Sequence, residues 1–93
     1  MSYTVEIAPR AERQLKQLAK KLPKGTFIQI AEEIDALANN PRPRHTKKVE
    51  DASDFYRIDI KEHRIVYAIK DNLLIVIIVK VAHRREVYSK KLK

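Results

Sequence analysis

Apolar residues recur along this chain with two different periods. Over residues 3–7, Tyr3, Val5 and Ile7 alternate with Thr4 and Glu6, the period of two expected of a strand with one buried face. Pro9 ends the alternation and suits the first turn of a helix. From there Ala11, Leu15, Leu18, Ala19 and Leu22 recur at helical spacing, with Arg and Lys between them, which predicts an amphipathic helix. Pro23 and Gly25 break it,. Phe27, Ile30, Ala31, Ile34, Leu37 and Ala38 form the stripe of a second helix, ended by Asn39, Asn40 and Pro41. The short link between the two stripes predicts an antiparallel helical hairpin.

Beyond a Pro-stiffened loop, the chain turns to β-branched and aromatic residues: FYRIDI at 55–60, RIVYAI at 64–69 and LLIVIIVKVAH at 73–83,. Asp71 and Asn72 look like a two-residue hairpin turn, and residues 61–64 like the preceding connection,. The order β-α-α-β-β-β predicts one α+β domain over residues 1–93, with the helical hairpin on one face of a mainly antiparallel sheet,. With those turns, Ile60 pairs with Ile65, Ile58 with Tyr67 and Tyr56 with Ile69, all on the helix face. Leu74, Val76 and Ile78 join them. Arg57, Asp59, Arg64, Val79, Val81 and His83 then point to the opposite face. No helix remains in the sequence to cover that face, so it is a candidate for binding.

The formal net charge of +8 turns this geometry toward polyanions,. A solvated lysine-rich surface is the plainer reading. The loop PRPRHTKK, residues 41–48, carries Arg42, Arg44, Lys47 and Lys48. It is either an ordinary surface loop or an arm that tracks phosphates. The chain has no Cys, which excludes disulfides, thiolate zinc sites and cysteine nucleophiles,. Its N-terminus lacks the pattern of a secretory signal. Its longest apolar run, LLIVIIV at 73–79, is too short to span ~30 Å of hydrocarbon as a helix,. A cytoplasmic location without membrane contact is the expectation.

No His, Asp, Glu or Cys cluster has metal-ligand spacing, and no phosphate-cradling Gly-rich loop is present, so no metal or cofactor is expected,. What remains is Arg, Lys, His and Tyr, a set suited to metal-free cleavage of RNA. The ribose 2′-hydroxyl loses a proton and attacks the adjacent phosphorus, and the 5′-oxygen leaves. Arginine stabilises the charge spread over the phosphoryl oxygens. Histidine moves protons near neutral pH. Tyrosine becomes a base where cations favour the phenolate, and Tyr88 has Arg84, Arg85, Lys90 and Lys91 close in sequence. Singly, each group has a plain alternative: Arg64 as a solvated strand cation, His83 as an edge residue, Tyr88 as a packed ring. Their convergence toward one end of one face is the argument.

The element order, FYRIDIKEHRIVYAI and the closing VAHRREVYS resemble the RelE branch of the RelE/ParE toxin superfamily over nearly the whole chain. The resemblance implies a ribosome-dependent endoribonuclease that cuts mRNA in the A site and leaves a 2′,3′-cyclic phosphate. It also implies a cognate acidic, RelB-like antitoxin that wraps the toxin in a higher-order hetero-oligomer. By the same resemblance, Arg64 and Arg84 match arginines that stabilise the phosphate in the transition state, and Tyr88 the tyrosine taken as general base. Arg57 matches a basic residue that holds the scissile region. Arg44, Lys47, Lys48 and Arg85 are expected on RNA. Asp59 departs from the family pattern, standing where its best-studied members carry a second lysine. His83 replaces another lysine and is expected to supply acid or base function. Two other classes fit the charge and the open face. One is a ParE-like inhibitor of DNA gyrase that cuts nothing, and the other a basic module that only binds RNA or an acidic partner. Residues 85–93 are expected to be a mobile tail in the free protein.

Overall fold

The structure, a computed structural model, describes residues 2–49, 54–83 and 85. The alternating stretch near the N-terminus forms β1 (Thr4–Ile7), and Pro9 opens α1 (Pro9–Lys21). Proline fits there because it fixes a helical φ and lacks an amide that the first turn would leave without a partner. Lys20 and Lys21 occupy the last turn, where positive charge meets the negative end of the helix dipole,. Pro23 alone makes the break, since α2 (Lys24–Ala36) begins immediately after it and contains Gly25.

The rest of the described chain forms β2 (Lys47–Lys48), β3 (Phe55–Ile60), β4 (His63–Lys70), a 3₁₀ turn (Asp71–Leu73) and β5 (Ile75–His83). The five strands make one sheet in the order β1-β5-β4-β3-β2. β1 runs parallel to β5, and every other pairing is antiparallel. This is the expected α+β arrangement with one strand more, because the basic loop pairs its two lysines with Arg57 and Tyr56. Ala11 of α1, Ile30 and Ile34 of α2, and Leu37 pack with Ile58, Ile60, Ile65, Tyr67, Ile69, Val76, Ile78 and Val81 in one buried cluster.

Both predicted turns differ from expectation. Lys61 and Glu62 alone join β3 to β4, placing Ile60 opposite His63, Ile58 opposite Ile65 and Tyr56 opposite Tyr67. The register therefore slides by two residues, an even number, and every side chain keeps its predicted face. Lys61 adopts the left-handed conformation at φ 54°. The turn between β4 and β5 is longer than two residues. After the 3₁₀ turn, Leu74 is left-handed at φ 55°, so Lys70 lies opposite Ile75 and Leu74 belongs to the turn, not to the helix-facing row.

The larger correction lies within β5. Tyr67 is opposite Ile78, but the next residue back, Val66, is opposite Lys80. Val79 is thus the extra residue of a β-bulge, and the alternation of faces restarts beyond it. Val81 pairs with Ile65 and His83 with His63, which puts both on the helix side. The expectation that they face away from the helices is overturned. Val81 is 1% exposed within the core. Lys80 and Ala82 take the open face instead, opposite Val66 and Arg64.

Candidate functional site

Cross-strand neighbours share a face, so the register defines what the side of the sheet away from the helices carries. One row runs Lys47, Arg57, Val66, Lys80 across β2, β3, β4 and β5. The next runs Asp59, Arg64, Ala82. Four cations and one carboxylate are thereby gathered on two adjacent rows. Lys80 was missed by sequence reasoning, because only the bulge at Val79 brings it there. Beyond Val66, the face continues through Phe55, Ala68 and Ile77 as an apolar strip.

Arg64 is the buried member, at 5% exposure. Its Nε donates to Asp59 Oδ1 at 2.6 Å and its Nη2 to Asp59 Oδ2 at 3.1 Å. This two-pronged geometry is the strong form of the arginine–carboxylate bond. Arg57 Nη1 donates to the same Oδ2 at 3.1 Å, so one carboxylate is shared by two guanidinium groups. The bond from Arg64, followed by the charges of Arg64 and Arg57, holds the Asp59 carboxyl below its ordinary pKa against an opposing desolvation. Asp59 is therefore ionised at neutral pH.

His83 takes no part in this cluster. Its ring lies edge-on to that of His63, with centroids 5.4 Å apart. Its Nε2 is 3.2 Å from Glu62 Oε1, and its Nδ1 accepts the backbone N–H of Arg85 at 3.1 Å. Both histidines line a groove beside α1 with Gln14, Leu18 and Leu22. Gln14 also accepts the N–H of Val81 through its side-chain oxygen at 2.8 Å. That serves the edge of β5 beyond the last residue paired to β1.

The basic loop is anchored more firmly than an ordinary surface loop. The buried Tyr67 hydroxyl donates to the Pro41 carbonyl at 2.8 Å, and Thr46 Oγ1 lies 2.5 Å from the same hydroxyl. Burial pushes the Tyr67 pKa up, which keeps its proton available to Pro41. Arg42 is a structural residue: Nη1 and Nη2 both donate to Asp71, at 3.2 and 2.7 Å, and its guanidinium lies 5.2 Å from the Tyr56 ring centre. Tyr3 donates to Asp71 Oδ1 at 2.6 Å. Together these bonds lower the Asp71 pKa to about 2, with Arg42 as the larger cause and Tyr3 next. Lys47 faces the site from β2, whereas Lys48 pairs with Tyr56 on the helix-side face. Arg44 and Arg85 are exposed.

Arg84 and Tyr88 lie outside the described residues, as does the expected mobile tail apart from Arg85. Among the described residues, no group of three His, Cys, Asp or Glu side chains is placed to hold a metal. No helix among them is long and apolar enough to cross a membrane.

Two helices on one side of this sheet and a cluster of cations on the other define a recognisable class. Residues 5–88 match the profile of the ParE toxin family of type II toxin–antitoxin systems. The chain is 30% identical over 92 residues to a toxin candidate of Methanocaldococcus jannaschii named RelE1, covering 96% of this chain and 98% of that protein. The RelE–RelB complex from Pyrococcus horikoshii contains a chain with a TM-score of 0.74 at 27% identity, over 90% of this chain and 97% of that one. The RelBE2 toxin–antitoxin complex from Mycobacterium tuberculosis gives 0.71 at 27% identity, over 90% and 100%. The chain belongs to the RelE/ParE superfamily of type II toxins, on its RelE branch.

Proposed function

We propose that this toxin is an endoribonuclease that cuts mRNA in the ribosomal A site and so stops translation. The observation that carries the reading is the convergence of Lys47, Arg57, Arg64 and Lys80 on the sheet face away from the helices. β5 runs antiparallel past Arg64, with Ala82 opposite it, immediately before Arg84 and Tyr88 follow in sequence. In the proposed reaction Tyr88 removes the 2′-hydroxyl proton. The 2′-oxygen attacks phosphorus and the bond from phosphorus to the 5′-oxygen breaks, Arg64 and Arg84 stabilise the charge gathering on the phosphoryl oxygens, and the departing 5′-oxygen takes a proton from water. Arg57, Lys47 and Lys80 hold the flanking phosphates, with Arg44 and Arg85 as outer contacts. His83 drops out of the proton transfer, since its ring is on the helix side of the sheet. The partner proposed for the free toxin is a RelB-like antitoxin, as in the Pyrococcus and Mycobacterium complexes.

The matching family profile bears the name of ParE, which favours one alternative, inhibition of DNA gyrase without nuclease activity. One experiment separates the two: the purified protein with programmed ribosomes, read by primer extension on the mRNA. Codon-specific breaks that vanish in Arg64→Ala and Tyr88→Phe are expected. Intact mRNA together with inhibited gyrase would overturn the nuclease reading.

A further inference from the structure

We infer that Asp59 is an internal stand-in for a phosphate: it occupies the binding edge of Arg64 and restricts the site to RNA that is already held in place. The inference rests on the reading that this face receives RNA phosphates.

The edge of a guanidinium that best fits a phosphate is the Nε and Nη2 pair, and on Arg64 both donate to Asp59,. Side-chain exposure is 6% for Arg64 and 38% for Asp59. The carboxylate is the more exposed partner of the pair, and it occupies the Nε and Nη2 edge of the arginine. An incoming phosphate reaches that edge only by displacing the carboxylate. Asp59 is fixed directly opposite Arg64 by the strand register, and a group tethered so closely competes at an effective concentration on the order of millimolar or above. A loosely bound RNA strand loses that competition. A strand whose other phosphates are already gripped, by a larger assembly or by the rest of the face, meets Arg64 as a tethered ligand itself and wins.

Displacement leaves Asp59 with a partner. Its Oδ2 also accepts from Arg57 Nη1, so the carboxylate remains paired with Arg57 after it gives up Arg64. Arg57 is the hinge of the exchange and Asp59 a specificity-determining residue, and neither needs to touch the reacting atoms.

The test is binding of a single-stranded RNA oligonucleotide without ribosomes, measured by fluorescence anisotropy against salt. Asp59→Asn keeps the shape and removes the charge. It is expected to bind on the order of tenfold tighter, the gain from one charge-assisted contact. The log–log salt slope should steepen by roughly 0.7, one added phosphate. The gain must vanish in Asp59→Asn combined with Arg64→Ala. It must also exceed that of Asp54→Asn, which removes the same charge from an exposed pair with Lys70. A gain that survives loss of Arg64, or that Asp54→Asn reproduces, overturns the inference. A second measurement does not depend on the folding of any Asp59 variant. In the otherwise wild-type chain, Arg64→Ala should change free-RNA affinity by less than about twofold, because that edge is already occupied. A loss of about tenfold would show Arg64 open to RNA and overturn the inference. Failure of the nuclease reading looks different: no ribosomal cleavage, with the Asp59 and Arg64 coupling in RNA binding intact.

Discussion

Tyr67 shows how one hydroxyl ties the functional face to the core. Its ring is fully buried among the isoleucines of the sheet, yet its oxygen reaches the Pro41 carbonyl and Thr46 at the base of the basic loop. Tyr67→Phe keeps the packing and removes the bond that fixes where Lys47 enters β2. The expected cost is about 1–3 kcal/mol, the range for a buried acceptor deprived of its donor. Urea denaturation would measure it, and an unchanged midpoint would show that the loop is held by other means. Arg64 is the opposite case, a charge taken out of water by its position. It is retained with an internal carboxylate because a buried arginine without an anion is strongly unfavourable.

Among the elements, β5 carries most of the architecture, since β1 and β4 both depend on it. Among the described residues no strand pairs with it on the β1 side past Ile78, and Gln14 of α1 takes over at Val81. Gln14→Ala should leave that buried N–H without an acceptor. About 1–2 kcal/mol of stability should be lost, with amide exchange at Val81 quickened more than in β3. Equal exchange in both chains would refute this role for Gln14. The same strand marks the limit of what could be read without coordinates. The faces of β3 and β4 were legible because Ile58, Ile60, Ile65 and Tyr67 alternate with polar or smaller residues, and a turn error of two preserves alternation. In residues 75–79 every side chain is Ile or Val, so no polar residue betrays the change of parity at Val79. Arg57 and Arg64 were therefore assigned correctly to the open face, while His83 was placed there wrongly and Lys80 overlooked.

For the molecule as a whole, the polar clasp of Arg42, Asp71 and Tyr3 joins the basic loop, the β4–β5 turn and the N-terminal strand. Its pH dependence follows from the lowered pKa of Asp71, about 2 when folded. A carboxylate with a depressed folded pKa stabilises fully above its unfolded value, roughly 3.9, and the contribution fades as pH falls through the folded value. Asp59, lowered in the same direction, adds to the effect. The melting temperature should thus be level with respect to these groups above about pH 5 and fall steeply between about pH 4 and 2. Asp71→Asn should make that fall shallower. A melting curve whose acid limb is the same in both chains would remove the clasp from the account.

The parallel pairing of β1 with β5 sets when this toxin becomes a toxin. Thr4 meets Ile75, and Tyr3 meets Asp71, only after the intervening chain has been made. Contacts so distant in sequence close late and slowly. A nascent chain that stops short of β5 has no central strand, no row of Arg57 with Lys80, and nothing for β1 to pair with. The cationic row is therefore absent until β5 has been made and has paired with β4.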